Sequence, residues 1–211
     1  MSNNSEIRKV MSFKPGDEKR ELLARNNIFF LNDEIDEGSS YMLSLGFLYS
    51  HFLNKENKEV SDKPLWIILN SPGGFVHQGF AIYDSIAMLV KNGREINILG
   101  VGMVASMATF ILQAATKRYS LPHTQFLIHQ ISQTMTFFEK EEVNEGEERI
   151  EESKRINEIM LETIAKRCGV DIEELKKLSK KKDFWLSAEQ AKSFGKNGLI
   201  DEVIEVPPFL L

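Results

Sequence analysis

The sequence predicts an α/β domain built on a parallel sheet. Short apolar runs recur along the chain: residues 27–31 (NIFFL), 65–69 (LWIIL), 96–99 (INIL) and 125–128 (QFLI). Longer amphipathic stretches separate them. This strand–helix–strand order favours parallel strands joined by right-handed crossovers. Strands apolar on both faces suit a sheet covered on both sides. With 211 residues, 42% hydrophobic and 27% charged, the chain can bury one real core.

Taken in order, the elements read as follows. Residues 1–20 are polar, carry both charge signs and lack the apolar core of a secretory signal, so they read as a flexible or conditionally ordered segment. Residues 40–54 read as a helix, with Met42, Leu45, Phe47, Leu48 and Phe52 at apolar positions. The strand at 65–69 runs into SPGG and a helix bearing Phe80, Ile82, Ile86, Met88 and Leu89. The strand at 96–99 leads through GVGMVASM into a helix of small residues. After Gln130 the pattern changes. ISQTMTFF alternates polar and apolar residues like a half-exposed strand, and a charged helix follows over about 139–166. Its first half is too polar to pack on a core alone and reads as a solvated face or as a projecting arm. Ile156, Met160 and Ile164 would join its second half to the head. A loop from Asp183, a helix starting near Ser187 and a last strand (LIDEVIEV) complete the chain.

Composition narrows the function. The net charge of −5 lacks the basic excess usual in nucleic-acid binders. No apolar run reaches the roughly 20 residues needed to span a bilayer. One cysteine, Cys168, cannot form an internal disulfide, which fits a reducing compartment such as the cytoplasm, and its place on a helix face favours a structural role. Neither HExxH nor a paired Cys/His spacing occurs, so no metal is expected.

Two strand-to-helix turns carry the candidate chemistry. In Ser71–Gly74 (SPGG), paired glycines allow a sharp turn and amides aimed at an anion. The motif matches neither GxxxxGK[ST] nor GxGxxG, which disfavours phosphate binding. In GMVASM, Ser106 precedes Met107, Ala108 and Thr109 at a helix start. A serine there presents its hydroxyl at the end of the sheet, or it merely caps the helix. It is not in GxSxG, so this is not the α/β-hydrolase elbow. Of four histidines, His51 reads as a surface residue, His77 as the edge of a cleft and His123 as part of a turn. His129 ends a strand, where ligand crevices of open α/β sheets form. Asp183 is the favoured acid among 31 acidic residues, because the chain returns to the core there after a basic run.

Together NSPGG, GMxASM, LPxxxxxIHQ and DxxxSAxxA resemble the proteolytic subunit of the Clp protease (the ClpP family). The resemblance runs from about Leu22 to Val203. It implies a ClpP/crotonase-like fold: repeated β-β-α and βαβ units, a parallel-sheet head and a projecting strand–helix handle. The domain division it implies is an axial segment at 1–20 and one peptidase domain at 21–211, with the handle at about 131–166. It implies that Ser106 is the nucleophile, His129 the general base and Asp183 the triad acid, with the Gly74 and Met107 amides as oxyanion hole. It further implies an ATP-dependent serine endopeptidase that cuts unfolded polypeptides inside a double ring of seven-subunit rings. A partner AAA+ unfoldase would consume the ATP, and this chain would hold no cofactor. Trp66, Ile68 and Met88 match positions of apolar docking clefts for that ATPase; ordinary packing is the competing reading. After IHQ the family continues with proline and glycines, whereas this chain reads ISQTMTFF. The alternatives are a peptidase acting without an ATPase, a crotonase-type acyl-CoA enzyme, and a non-catalytic ring subunit. Coenzyme A binding, active-site labelling and native mass discriminate among them.

Overall fold

The computed structural model describes residues 18–54, 63–130, 143–180 and 183–211. Among the described residues there are seven α-helices and one seven-stranded sheet. The elements are α1 (Glu18–Arg25), β1 (Ile28–Leu31), α2 (Glu37–Asn54), β2 (Leu65–Ser71), α3 (Val76–Lys91), β3 (Ile96–Ala105), α4 (Met107–Leu112), β4 (Lys117–Ser120), β5 (Gln125–Ile128), α5 (Val143–Cys168), α6 (Ile172–Ser179), β6 (Phe184–Ser187), α7 (Ala188–Lys192) and β7 (Glu202–Val203), ending in a 3₁₀ turn at Pro208–Leu210. The order β1-β2-β3-β4-β7 is parallel throughout, as the strand–helix alternation predicts. The expected strand at 131–138 and most of the axial segment lie outside the described residues. The long helix is described over Val143–Cys168.

β3 is the central strand and is longer than the apolar run INIL suggests. Its first half pairs with β4 through Asn97–Gly100, and its second half pairs with β5 through Met103–Ala105. Most of the segment read as a strand-to-helix turn, up to Ala105, is therefore strand. A bulge makes this possible: Leu69 pairs with Gly100, but Ser71 pairs with Val104, and Gly102 lies between with φ +67°. Such a backbone suits glycine, and the extra residues turn the strand towards a new neighbour. The Asn70 side chain holds the bulge by accepting from the Met103 amide at 3.1 Å.

β5 pairs with β6 antiparallel. β6 (FWLS) was expected as loop, and β4 (KRYS) was not foreseen at all, because neither is an apolar run. The expected last strand shrinks to Glu202–Val203. Asp201 is drawn to Arg118, and Pro207 and Pro208 end the pairing soon after.

The two faces of the sheet are filled differently. Leu65, Ile67, Leu69, Ile96 and Ile98 face the helices and share a core with Ile82, Ile86 and Leu89 of α3. Ile156, Met160 and Ile164 of α5 are buried in that core, as their spacing predicts. The opposite face carries Trp66, Leu99 and Tyr119, with Phe209 from the C-terminal turn packed on the Trp66 ring at 5.1 Å. Ser187 caps α7 with a full capping box through Gln190.

An ion pair between a buried arginine and a partly exposed aspartate ties the end of the chain to the sheet. Arg118 is only 2% exposed and donates to Asp201 through Nη2 at 2.5 Å and Nε at 3.2 Å. Its remaining donors reach the Gln113 side chain and the Gly198 and Asn197 carbonyls. Burial pushes the Asp201 carboxyl up, but hydrogen bonds from the Arg118 side chain and amide, together with its charge, outweigh this and hold it below the ordinary carboxylate range. A depressed carboxylate contributes stability above its unfolded pKa and loses it as pH falls through the folded value. Asp201→Asn should therefore cost roughly 2–4 kcal/mol at neutral pH, since it strands a buried guanidinium. Urea midpoints measured from neutral pH down to below about pH 4 should show a steeper acid loss for the unsubstituted chain than for the variant.

Candidate active site

The carboxyl end of β3 presents Ser106. Its backbone has φ +55° and ψ −121°, which a non-glycine residue adopts only under constraint. The constraint is visible. The Ser106 amide donates to the Leu127 carbonyl of β5 at 2.9 Å, while its carbonyl accepts from the amides of Thr109 and Phe110 in α4. The Thr109 hydroxyl donates to both Val104 and Leu127 carbonyls at 2.9 Å, locking strand ends to helix start. Ser106 occupies the N-cap position, yet its side chain makes no capping hydrogen bond. The capping alternative from the sequence thus does not describe this hydroxyl.

Two backbone amides near it point away from their own secondary structure. In a trans peptide the C=O and N–H are antiparallel. The Ser106 carbonyl points into α4, so the Met107 N–H points out of the helix start, where no intrahelical partner exists. The Gly73 carbonyl accepts from the Ile35 amide at 2.8 Å, so the Gly74 N–H points away from Ile35. Gly73 lies directly against the serine: a Cβ there would sit 2.7 Å from the Ser106 Cβ and 3.0 Å from the Met107 nitrogen. Both glycines need positive φ, +101° and +148°, and a Cβ on Gly74 would collide with the Ile35 backbone. The Ser71 hydroxyl fixes the turn by accepting from the Gly73 amide at 3.1 Å.

The other two residues arrive by strand register. Ala105 pairs with Leu127, which brings His129 just past Ser106 at the end of β5. Ile128 pairs with Phe184, so the next antiparallel pair is His129 with Asp183. The His129 Nδ1 lies 3.8 Å from the Asp183 Oδ1, close enough for charge attraction but longer than a hydrogen bond. Catalytic contacts are often long without substrate and shorten when it binds. His129 is about a quarter exposed, and Asp183 more than half.

The remaining candidates are placed elsewhere. His77 lines a groove between α2 and α3 of about 510 Å3 with Glu37, Tyr41 and Leu48, which fits a cleft edge. Cys168 is fully buried, and burial pushes its thiol up to about 11, so it stays a protonated core group. Among the described residues, no three His, Cys, Asp or Glu side chains converge as a metal site, and no helix is long and apolar enough to cross a membrane. Trp66 and Ile68 do share one sheet face, but Trp66 is 4% exposed beneath Tyr119 and Phe209. Met88 is 52% exposed on α3, which packs against the other face. One chain therefore does not gather these three residues into a cleft. Sequence reasoning missed the positioning roles of Asn70, Ser71 and Thr109, although all three lie within or beside the NSPGG and GMVASM segments.

Comparison with known proteins decides the family. The model of the Clp protease family matches residues 16–207. The chain belongs to the Clp protease family. It is 35% identical over 187 residues to "ATP-dependent Clp protease proteolytic subunit 3" of Synechococcus sp. (strain CC9605), covering 88% of this chain and 86% of the relative. The same identity and coverage hold for "ATP-dependent Clp protease proteolytic subunit 2" of Prochlorococcus marinus (strain NATL2A). A Clp proteolytic subunit is a peptidase, so the chain is a hydrolase of peptide bonds. The mostly parallel α/β sheet agrees with the fold that the motifs imply.

Within this Clp-type site, Gly73→Ala should separate fold from function. The methyl group meets Ser106 and Met107 at a positive φ, and an ångström of displacement at a reacting centre costs about 100-fold. The variant should keep native far-UV circular dichroism while its Ser106 labelling by a fluorophosphonate slows by about that factor. Unchanged labelling would show that the contact does not control the serine.

Proposed function

We propose that this chain is a serine endopeptidase of the Clp type, with Ser106 as nucleophile, His129 as general base and Asp183 as the acid that orients it. The observation that carries this reading is the strained, uncapped Ser106 flanked by two outward-pointing amides. His129 takes the Ser106 proton as the hydroxyl oxygen attacks the scissile carbonyl carbon. The oxyanion that forms is held by the Gly74 and Met107 amides, each such donor contributing about 3 kcal/mol to the transition state. The imidazolium then gives its proton to the leaving amine, and the acyl-enzyme remains. Water, deprotonated by His129, releases the acid product and restores the serine. Asp183 favours the imidazolium and the tautomer with the proton on Nδ1. Every proton is accounted for by these groups, so the reading calls for no metal and no cofactor.

The relatives' printed names include "ATP-dependent". By that likeness we propose that a separate AAA+ unfoldase feeds unfolded polypeptide to the chain in the cytoplasm, and that copies of the chain assemble into two seven-membered rings. Several exposed apolar side chains fit subunit or partner contact: Tyr41, Leu48 and Phe52 on α2, Phe30 on the edge strand, and Met88 on α3.

Ser106→Ala should abolish fluorophosphonate labelling and cleavage of an unfolded protein substrate. Asp183→Asn should lower kcat/KM by roughly 10²–10⁴-fold with KM little changed. Full activity in the Ser106→Ala variant would remove the nucleophile from this account. Native mass spectrometry should find fourteen copies of the 24.1 kDa chain; a monomer would contradict the ring proposal.

A further inference from the structure

A cavity of about 650 Å3 opens between α5 and α6, and Gln130, the residue after His129, forms part of its wall. Another wall residue, Lys180, lies three positions before Asp183, so both chain segments that carry the His129–Asp183 pair reach the cavity wall. Lys154 of α5 converges on it with Lys176, Lys177 and Lys180 of α6 and its cap. Among the described residues, the acidic side chains in the lining are Glu158 and Glu173, and both are bound to Lys176, at 2.6 and 2.9 Å. Lys154, Lys177 and Lys180 have no acidic partner among the described residues. Lysines in the last turn of a helix are ordinary, because they complement its dipole. Lys154 is not of that kind, since it comes from the middle of another helix.

We infer that this cavity favours acidic side chains, glutamate above all, in the polypeptide lying across Ser106. The inference rests on the serine-peptidase reading for its substrate. Three exposed cations that converge on one groove raise the local potential there. A glutamate entering the cavity gains those ammonium groups as partners, while exposed Ile150 offers contact to its methylenes. A lysine in the substrate meets like charge instead.

The test uses the full chain as Ser106→Ala and fluorescein-labelled unfolded peptides identical but for one Glu, Gln or Lys. Fluorescence anisotropy at low salt should rank the affinities Glu, Gln, Lys, with about three- to tenfold between Glu and Gln. High salt should erase the ranking. Substituting Lys154→Glu, Lys177→Glu and Lys180→Glu together should reverse it; these positions are exposed, so the fold should tolerate the change. Equal affinities at low salt, or a Glu preference surviving the triple substitution, would overturn the inference. Cleavage of the same peptides by the unsubstituted chain is scored separately. Ser106-independent cleavage with the Glu ranking intact overturns the peptidase reading, whereas Ser106-dependent cleavage with equal affinities overturns only the role of the lysines.

Discussion

Everything in the site hangs from the way β3 ends. The strand exchanges one neighbour for another half-way along, and the Gly102 bulge is what permits it. Because the second half pairs with β5, Ser106 is bonded to Leu127 and held in a backbone conformation that it would not choose. The same pairing sets where His129 falls. The antiparallel addition of β6 then sets where Asp183 falls. One register error of a single residue along β5 would turn its side chains to the wrong face. The core that fixes this register, with Val104, Phe126 and Ile128 fully enclosed, therefore supports the proposed catalytic residues energetically.

Electrostatic preorganisation follows from backbone, not from charged side chains. The Gly74 and Met107 amides point outward because the carbonyls in their own peptide planes are already occupied. Such donors need no reorganisation when charge develops on a substrate oxygen. Gly73 lets the two segments approach to contact, and the Ser71 and Thr109 hydroxyls hold them there. The ion pair of Arg118 with Asp201 performs a related task at a distance. It docks the last strand and turn, which close the far edge of the sheet and cover Trp66.

Much of the fold could be read from the chain because its central strands are runs of Ile, Leu and Trp that fit only a buried parallel sheet. The strands that escaped reading are short and polar. β4 contains Arg118, whose burial makes sense only once Asp201 and three further acceptors surround it. β6 looked like loop because its pairing with β5 is decided by residues some sixty positions away. The extension of β3 was hidden behind glycines that usually mark turns and here mark a bulge.

For the site, the sequence alone determined the chemical inventory: a serine at a strand-to-helix junction, a histidine at a strand end, a glycine pair, and an acid after a basic run. Motif resemblance joined these into a family. Only the tertiary structure decided that Ser106 is strained and uncapped, that the two amides face outward, and that His129 meets Asp183 through strand register. The physical reason is that residue type fixes which reactions are available, while distance and direction arise from hydrogen-bond registers between segments far apart in the chain. That division also holds for the lysines of α5 and α6, whose convergence on one cavity no linear spacing displays.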